Sequence, residues 1–310
     1  MARPGVRTTS AAKTAPPPPP VEEKKQEVVT TANNVVAAGI ANRMAKAAGQ
    51  GALETMGAKD FAIPFLKVLD KGSPIVIEAS DQYVEGAKAG MLYNTVTKEL
   101  FDGKEGVIVI PCGFKSVILE WESTEPGSGF IAEHPASSDI KVKSGGSIQE
   151  QAGGAKRFVM PNGHCLQDAN NYYCVLVKED GDTEHVIISM TGSNLGVSRL
   201  WNSMMSNRKM VVNGRRMTAP TFGVQYLMKT AAASDGQFHW HVFAPEDAGL
   251  IDDGNLLDIT ESFYETVTAG KVKGNYSSNT ADAGPSKDAA GSDGNRDHIP
   301  DLGDDEIPYT

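Results

Sequence analysis

Acidic residues are missing from one long stretch of this chain. Between His185 and Ser234 there is no Asp or Glu, although the 310 residues together carry a net charge of -10. The overall charge excludes a uniformly basic nucleic-acid coat, but it leaves room for a local surplus. Cysteine is scarce as well. There are three, Cys112, Cys165 and Cys174. An odd count with no secretory leader argues against a disulfide framework and for a reducing compartment. Each reads as a small buried apolar residue. No apolar run nears the ~20 residues of a membrane-spanning helix, so no membrane partner is expected. Catalytic signatures are absent too: there is no Walker-type glycine loop, no nucleophile elbow and no His-Glu-x-x-His pattern. "GSGF" (127–130) and "SGGS" (144–147) lack the Lys or helix context of a phosphate cradle. The expectation is a protein that is not an enzyme and holds no cofactor.

What is present divides the chain in three. Residues 1–57 form a low-complexity arm with the run Pro16 to Pro20, a polyproline-type composition, and a short helix fits over 33–48. Residues 269–310 return to Gly, Ser, Asn and Asp, a composition that reads as a disordered acidic tail. Between them, 58–268 is strand-like and punctuated by turns. "GVIVIPCGFKSVILEW" (106–121) holds two strand-length runs rich in Val and Ile. Asn162-Gly163 and Asn213-Gly214 are hairpin-turn signals. "YYCVLVK" (172–178) and "HVIISM" (185–190) read as paired strands. In 193–210 the period changes: Val197, Leu200, Trp201, Met204 and Met205 share one helical face, with Ser193 or Asn194 as N-cap. Residues 220–230 and 236–245 alternate again and flank Ser234-Asp235-Gly236, which predicts a second hairpin. The fold class expected is mainly β, an OB-fold-like antiparallel barrel elaborated by loops and one helix, with 123–155 as a loop insertion.

The acid-free stretch holds Arg199, Arg208, Lys209, Arg215, Arg216 and Lys229, six positive charges in fifty residues. A basic face calls for an anionic partner, and phosphate backbone is the commonest. Single strands also expose base faces that stack on aromatic rings for roughly 1–3 kcal/mol each. Tyr226, Phe238 and Trp240 are the stacking candidates, although one side of each alternating strand must be core. Trp201 sits on the helix's apolar stripe and reads as core. Lys115 and Lys156 are further candidate phosphate contacts. His239 and His241 lie on one strand face at a spacing that could share a metal, and His164-Cys165 with Cys174 is a weaker set. The histidine pair reads as a polar strand face and a single Cys-x8-Cys spacing is weak, so no metal is expected.

The last residues, "DDEIPYT" (304–310), place Asp304, Asp305 and Glu306 before Ile307, Pro308 and Tyr309. This resembles the acidic tip of bacterial single-stranded-DNA-binding proteins, which typically finish Asp-Asp-Asp-Ile-Pro-Phe. "IPFLKVLDKGSP", "GMLYNTVTKELFDG" and "VSRLWNSMM…APTFGVQYLMKT" are similar to phage proteins of that replication class. The resemblance implies sequence-independent single-stranded DNA binding in replication or recombination, in the host cytoplasm. It implies that Asp304, Asp305, Glu306, Ile307, Pro308 and Tyr309 recruit replication proteins such as polymerase, helicase or primase, and compete with DNA. This chain departs from the pattern at Tyr309, and Thr310 displaces the terminal carboxylate. Exposed strand edges are compatible with a homodimer. Two other readings stand beside this one: a virion or scaffold protein with a β-rich core, and a metal-dependent enzyme around His239 and His241.

Overall fold

The computed structural model describes Lys46 and residues 63–276, without 126, 152–155, 237, 273 and 275. The chain divides into two units, Met1–Thr55 and Met56–Thr310, and the fold below belongs to the second. The proline-rich arm, the expected helix over 33–48 and the whole of 277–310, with Asp304, Asp305, Glu306, Ile307, Pro308 and Tyr309, lie outside the described residues.

In chain order, a small sheet comes first: β1 (Leu66–Val68), β2 (Leu92–Asn94) and β3 (Leu100–Phe101). Then come β4 (Val107–Trp121), β5 (Phe130–Pro135), a one-turn helix α1 (Ile140–Lys143), β6 (Ser147–Glu150), β7 (Lys156–Val159), β8 (Cys165–Val177) and β9 (Thr183–Thr191). Helix α2 (Asn194–Asn207) follows, then β10 (Lys209–Val212), β11 (Arg215–Thr218), β12 (Val224–Ser234), β13 (His239–Leu250) and helix α3 (Gly254–Thr268). The fold is mainly antiparallel β, as expected from the alternation. The presumed loop insertion at 123–155 contains β5, α1 and β6.

β4 is the spine. Its two apolar runs form one strand of 15 residues, where two were expected. The register shifts between Pro111 and Gly113, which bends the strand without ending it. Glycine is required there, because a Cβ on Gly113 would lie 2.5 Å from Val267 Cγ1 of α3. β8 runs the full length of β4, from Ile108↔Val177 to Trp121↔Cys165. β9 pairs with the other side of β8, and β12 pairs with the start of β4 through Tyr226↔Val109. β13 is the antiparallel neighbour of β12. The five long strands therefore stand in the order β9-β8-β4-β12-β13.

A closed barrel was expected, and among the described residues the sheet does not close, because no strand ladder joins β9 to β13. The N-terminal segment occupies the gap. Ile187 N donates to Pro64 O (2.8 Å), His241 N to Asp70 Oδ1 (3.0 Å) and Thr230 N to Gly103 O (2.7 Å). α2 joins in through Asn194 Oδ1, which accepts from Phe243 N at 2.9 Å. That bond takes Asn194 away from capping. Ser193 stands at the N-cap position, but its side chain makes no cap bond.

Two apolar layers cover the two faces of the sheet. On one, Trp201 and Val197 of α2 meet Tyr172, Tyr226, Met228 and Val242. Burying each of these large side chains stabilises the fold by roughly 1.5–3 kcal/mol. On the other, Ile110, Tyr173, Val175 and Ile187 are covered by Phe263 and Val267 of α3 and by Tyr276. Tyr276 falls in the stretch assigned from composition to the tail. It is nonetheless buried, 4.7 Å from the Phe130 ring and 5.1 Å from the Phe65 ring, and Asn171 Nδ2 donates to its hydroxyl.

Candidate nucleic-acid interface

β10 and β11 form a hairpin separate from the main sheet, with Val211↔Arg216 and Val212↔Arg215 as cross-strand partners. Asn213 (φ 52°) and Gly214 (φ 75°) make the turn. Two consecutive positive φ values are what a type I′ turn needs, and Asn-Gly is the pair that tolerates them. The hairpin stands clear of the core: all four residues of β11 are exposed, and Val211 is 71% exposed. Only Met210 reaches back onto the apolar layer around Trp201. Alternation puts Lys209, Val211, Arg216 and Thr218 on one face and Met210, Val212, Arg215 and Met217 on the other. Each face thus joins a cation to an apolar side chain. Lys209 Nζ donates to Thr218 Oγ1 at 2.8 Å.

The six cations of the acid-free stretch separate into two groups. Arg208 Nη1 lies 2.9 Å from Asp247 Oδ2, and Lys229 Nζ lies 2.8 Å from Glu246 Oε2. Strand pairing explains both, because β13 returns antiparallel to β12 and sets Glu246 and Asp247 beside the basic stretch. A segment free of acid in sequence is therefore not free of acid in space. Arg208 and Lys229 are held in ion pairs instead of facing solvent as free cations. Arg199, Lys209, Arg215 and Arg216 are exposed and carry no acidic partner among the described residues. Of the two further candidates, Lys115 pairs with Glu133, and Lys156 lines a surface cavity.

The stacking candidates divide by strand parity. Tyr226 is fully buried, its ring edge-on to Trp201 at 5.6 Å, and burial pushes its hydroxyl up to about 12. Trp240 is 9% exposed and belongs to the same layer. Both are corrected to core residues, because they point to the inner side of β12 and β13. Phe238 is 41% exposed at the β12–β13 turn, beyond the reach of that layer. Trp201 is core, as its helical spacing predicts.

The histidines of the metal reading are apart in environment. His239 is exposed, while His241 lies near Asp70, with burial and then Lys71 lowering its pKa. His164 turns to a different partner: Glu120 lies between His164 Nδ1 (2.6 Å) and His134 Nε2 (2.8 Å). Burial alone raises the Glu120 pKa, and the hydrogen bonds from His164 and His134 outweigh it and lower the pKa. The three cysteines are free and buried, and burial raises the Cys112 thiol to about 12. Among the described residues no group of three His, Cys, Asp or Glu is placed to hold a metal ion, and no helix is long and apolar enough to cross a membrane.

Composition alone passed over Lys141, Arg157 and Phe158, which line the cavity with Lys156. Their signal was in the sequence: Lys141, Lys143, Lys156 and Arg157 fall within seventeen residues. Their place in a presumed loop hid it.

Fold and surface together define a mainly antiparallel β protein with a projecting basic hairpin. A family model described as Pam3 phage gp34-like protein matches residues 30–273, about four-fifths of the chain, and the chain belongs to this phage family. No curated protein and no solved structure matches it.

Proposed function

We propose that this phage protein binds single-stranded DNA without sequence preference, in replication or recombination, and that the β10–β11 hairpin is a main contact. The observation that carries the reading is the hairpin itself. Arg215, Arg216 and Lys209 stand exposed with apolar Val211 and Met217 beside them, and no acid falls on either strand. Cations supply the phosphate attraction, and exposed apolar side chains suit base and sugar faces. The order of the five long strands, with α2 between β9 and β12, also supports it. We read that order as akin to an OB-fold, a Greek-key architecture that binds oligonucleotides. Arg199 on α2 and Phe238 at the β12–β13 turn are further candidate contacts. Asp304, Asp305 and Glu306 would act as an internal competitor, with Ile307, Pro308 and Tyr309 engaging replication partners.

Fluorescence anisotropy with labelled oligo-dT tests this reading. The full chain should bind at low salt and weaken steeply as salt rises. Arg215→Ala with Arg216→Ala should lower the log–log salt slope by about 1.4, the share of two single-strand phosphates. Removing 301–310 should tighten binding. Absence of oligo-dT binding at low salt, with and without the tail, would sink the proposal. The exposed Val211, Val212 and Met217 favour a second reading, in which the hairpin joins copies in a virion or scaffold. Stoichiometric copies in purified particles would support that reading against the first.

A further inference from the structure

A surface cavity of about 340 Å³ opens where β6, β7, β8, α1 and the start of α2 meet. Lys141, Lys156 and Arg157 bring cations to it; Ile148, Phe158, Leu166 and Leu195 give it an apolar lining. Lys141 Nζ is 2.6 Å from Asp168 Oδ1, so one acid shares the wall, and Glu150 stands opposite Lys156 in the β6–β7 register. Lys156 and Asp168 are exposed, and Ile148 is 62% exposed on a strand with no buried residue. Packing therefore does not explain Ile148, and an apolar side chain held open next to cations suits an amphipathic ligand.

The position of the cavity says which ligand. Leu195 and Gly192 put the start of α2 in its wall. Arg199 is four residues beyond Leu195, on the same helical face, and Ser203 and Ser206 continue that exposed face. The 14 residues of α2 span about 21 Å and end at Arg208, where the β10–β11 hairpin begins. The cavity and the hairpin thus lie at opposite ends of one helix, with an exposed cation between them. We propose that the cavity is a nucleotide subsite for the same single strand, with a phosphate displacing Asp168 from Lys141 next to Lys156 and the base against Phe158 and Ile148. This inference rests on the reading of the hairpin as a DNA contact and adds a second anchor at the far end of α2. A pocket of this volume is at the small end of ligand sites, in keeping with one nucleotide unit and not a folded partner.

Iodouracil-substituted oligo-dT, photo-crosslinked to the full chain and mapped by mass spectrometry, tests the subsite directly. The expected crosslink falls on Phe158. Lys141→Ala with Lys156→Ala, both solvent-reaching side chains, should weaken oligo-dT binding on the order of tenfold and lower the salt slope by about 1.4. The subsite is overturned if crosslinks map only to Phe238 or 209–218 while the Lys141/Lys156 variant binds like wild type. In that outcome the hairpin reading survives. If wild type fails to bind oligo-dT at all, both fall together.

Discussion

Tyr226 and Trp240 show how one residue's parity decides its role. Each reads equally well as base platform or core from the strand alternation alone; the side of the strand that faces α2 settles it. Phe238, two residues before Trp240, has the same parity but sits past the end of the layer, so it stays exposed. Trp240→Ala should cost about 3–5 kcal/mol in chemical denaturation, the usual range for truncating a buried aromatic. Phe238→Ala should leave stability unchanged and weaken oligo-dT binding. The Tyr226 hydroxyl is buried with no hydrogen-bond partner among the described residues. Leaving such a group unpaired costs about 1–3 kcal/mol, so Tyr226→Phe should hold or raise the denaturation midpoint. Glu120 yields a pH prediction. Its folded pKa is below the ordinary 4.5, so the unfolded chain binds its proton first as pH falls. The stability it contributes is complete above 4.5 and lost as pH drops through the folded value. Glu120→Gln should therefore flatten the acid limb of a melting-temperature profile below about 4.5.

Among the elements, the β10–β11 hairpin was the most legible, because Asn213-Gly214 both predicts the turn and makes it. Arg208 and Ala219 already meet through Ala219 N donating to Arg208 O at 3.0 Å. Replacing 209–218 by a short Gly-Ser turn should then leave the thermal midpoint nearly unchanged and remove much of the salt-sensitive DNA affinity. A large drop in the midpoint would mean that the hairpin is part of the core. Helix α3 was not legible, although its signals exist. Asp253 accepts from Asn255 N and Leu256 N as N-cap, and Leu256, Thr260, Phe263 and Val267 recur at helical spacing. Leu257, Ile259 and Tyr264 blur that stripe by standing more than a third exposed on other faces. The charge pattern failed for a different reason. Linear order cannot show that Glu246 and Asp247 return beside Arg208 and Lys229, since pairing across a hairpin is a long-range fact.

For the whole molecule, the mainly antiparallel β class and the helix over 194–207 followed the sequence reading, while the closure of the sheet did not. Closure depends on residues 63–103, a region with few regular runs, whose loops fill the gap between β9 and β13 through single hydrogen bonds. Beyond α3 a distant contact matters as well: composition after 268 suggests a tail, yet Tyr276 is held by Phe65, Phe130 and Asn171. A chain ending at 276 keeps this contact. One ending at 268 should lose about 3–5 kcal/mol, as for any buried aromatic removed. Equal midpoints for the two truncations would show that Tyr276 contributes nothing. The central position of β4 also governs the order of events during synthesis. Its partner Tyr226 on β12 is 117 positions after Val109. At about 5–20 residues per second, the ribosome leaves that edge of β4 without its partner strand for roughly 6 to 23 seconds. A Val- and Ile-rich edge waiting that long is the stretch through which nascent copies would cross-pair, so a phage making this protein in quantity depends on how quickly β12 follows.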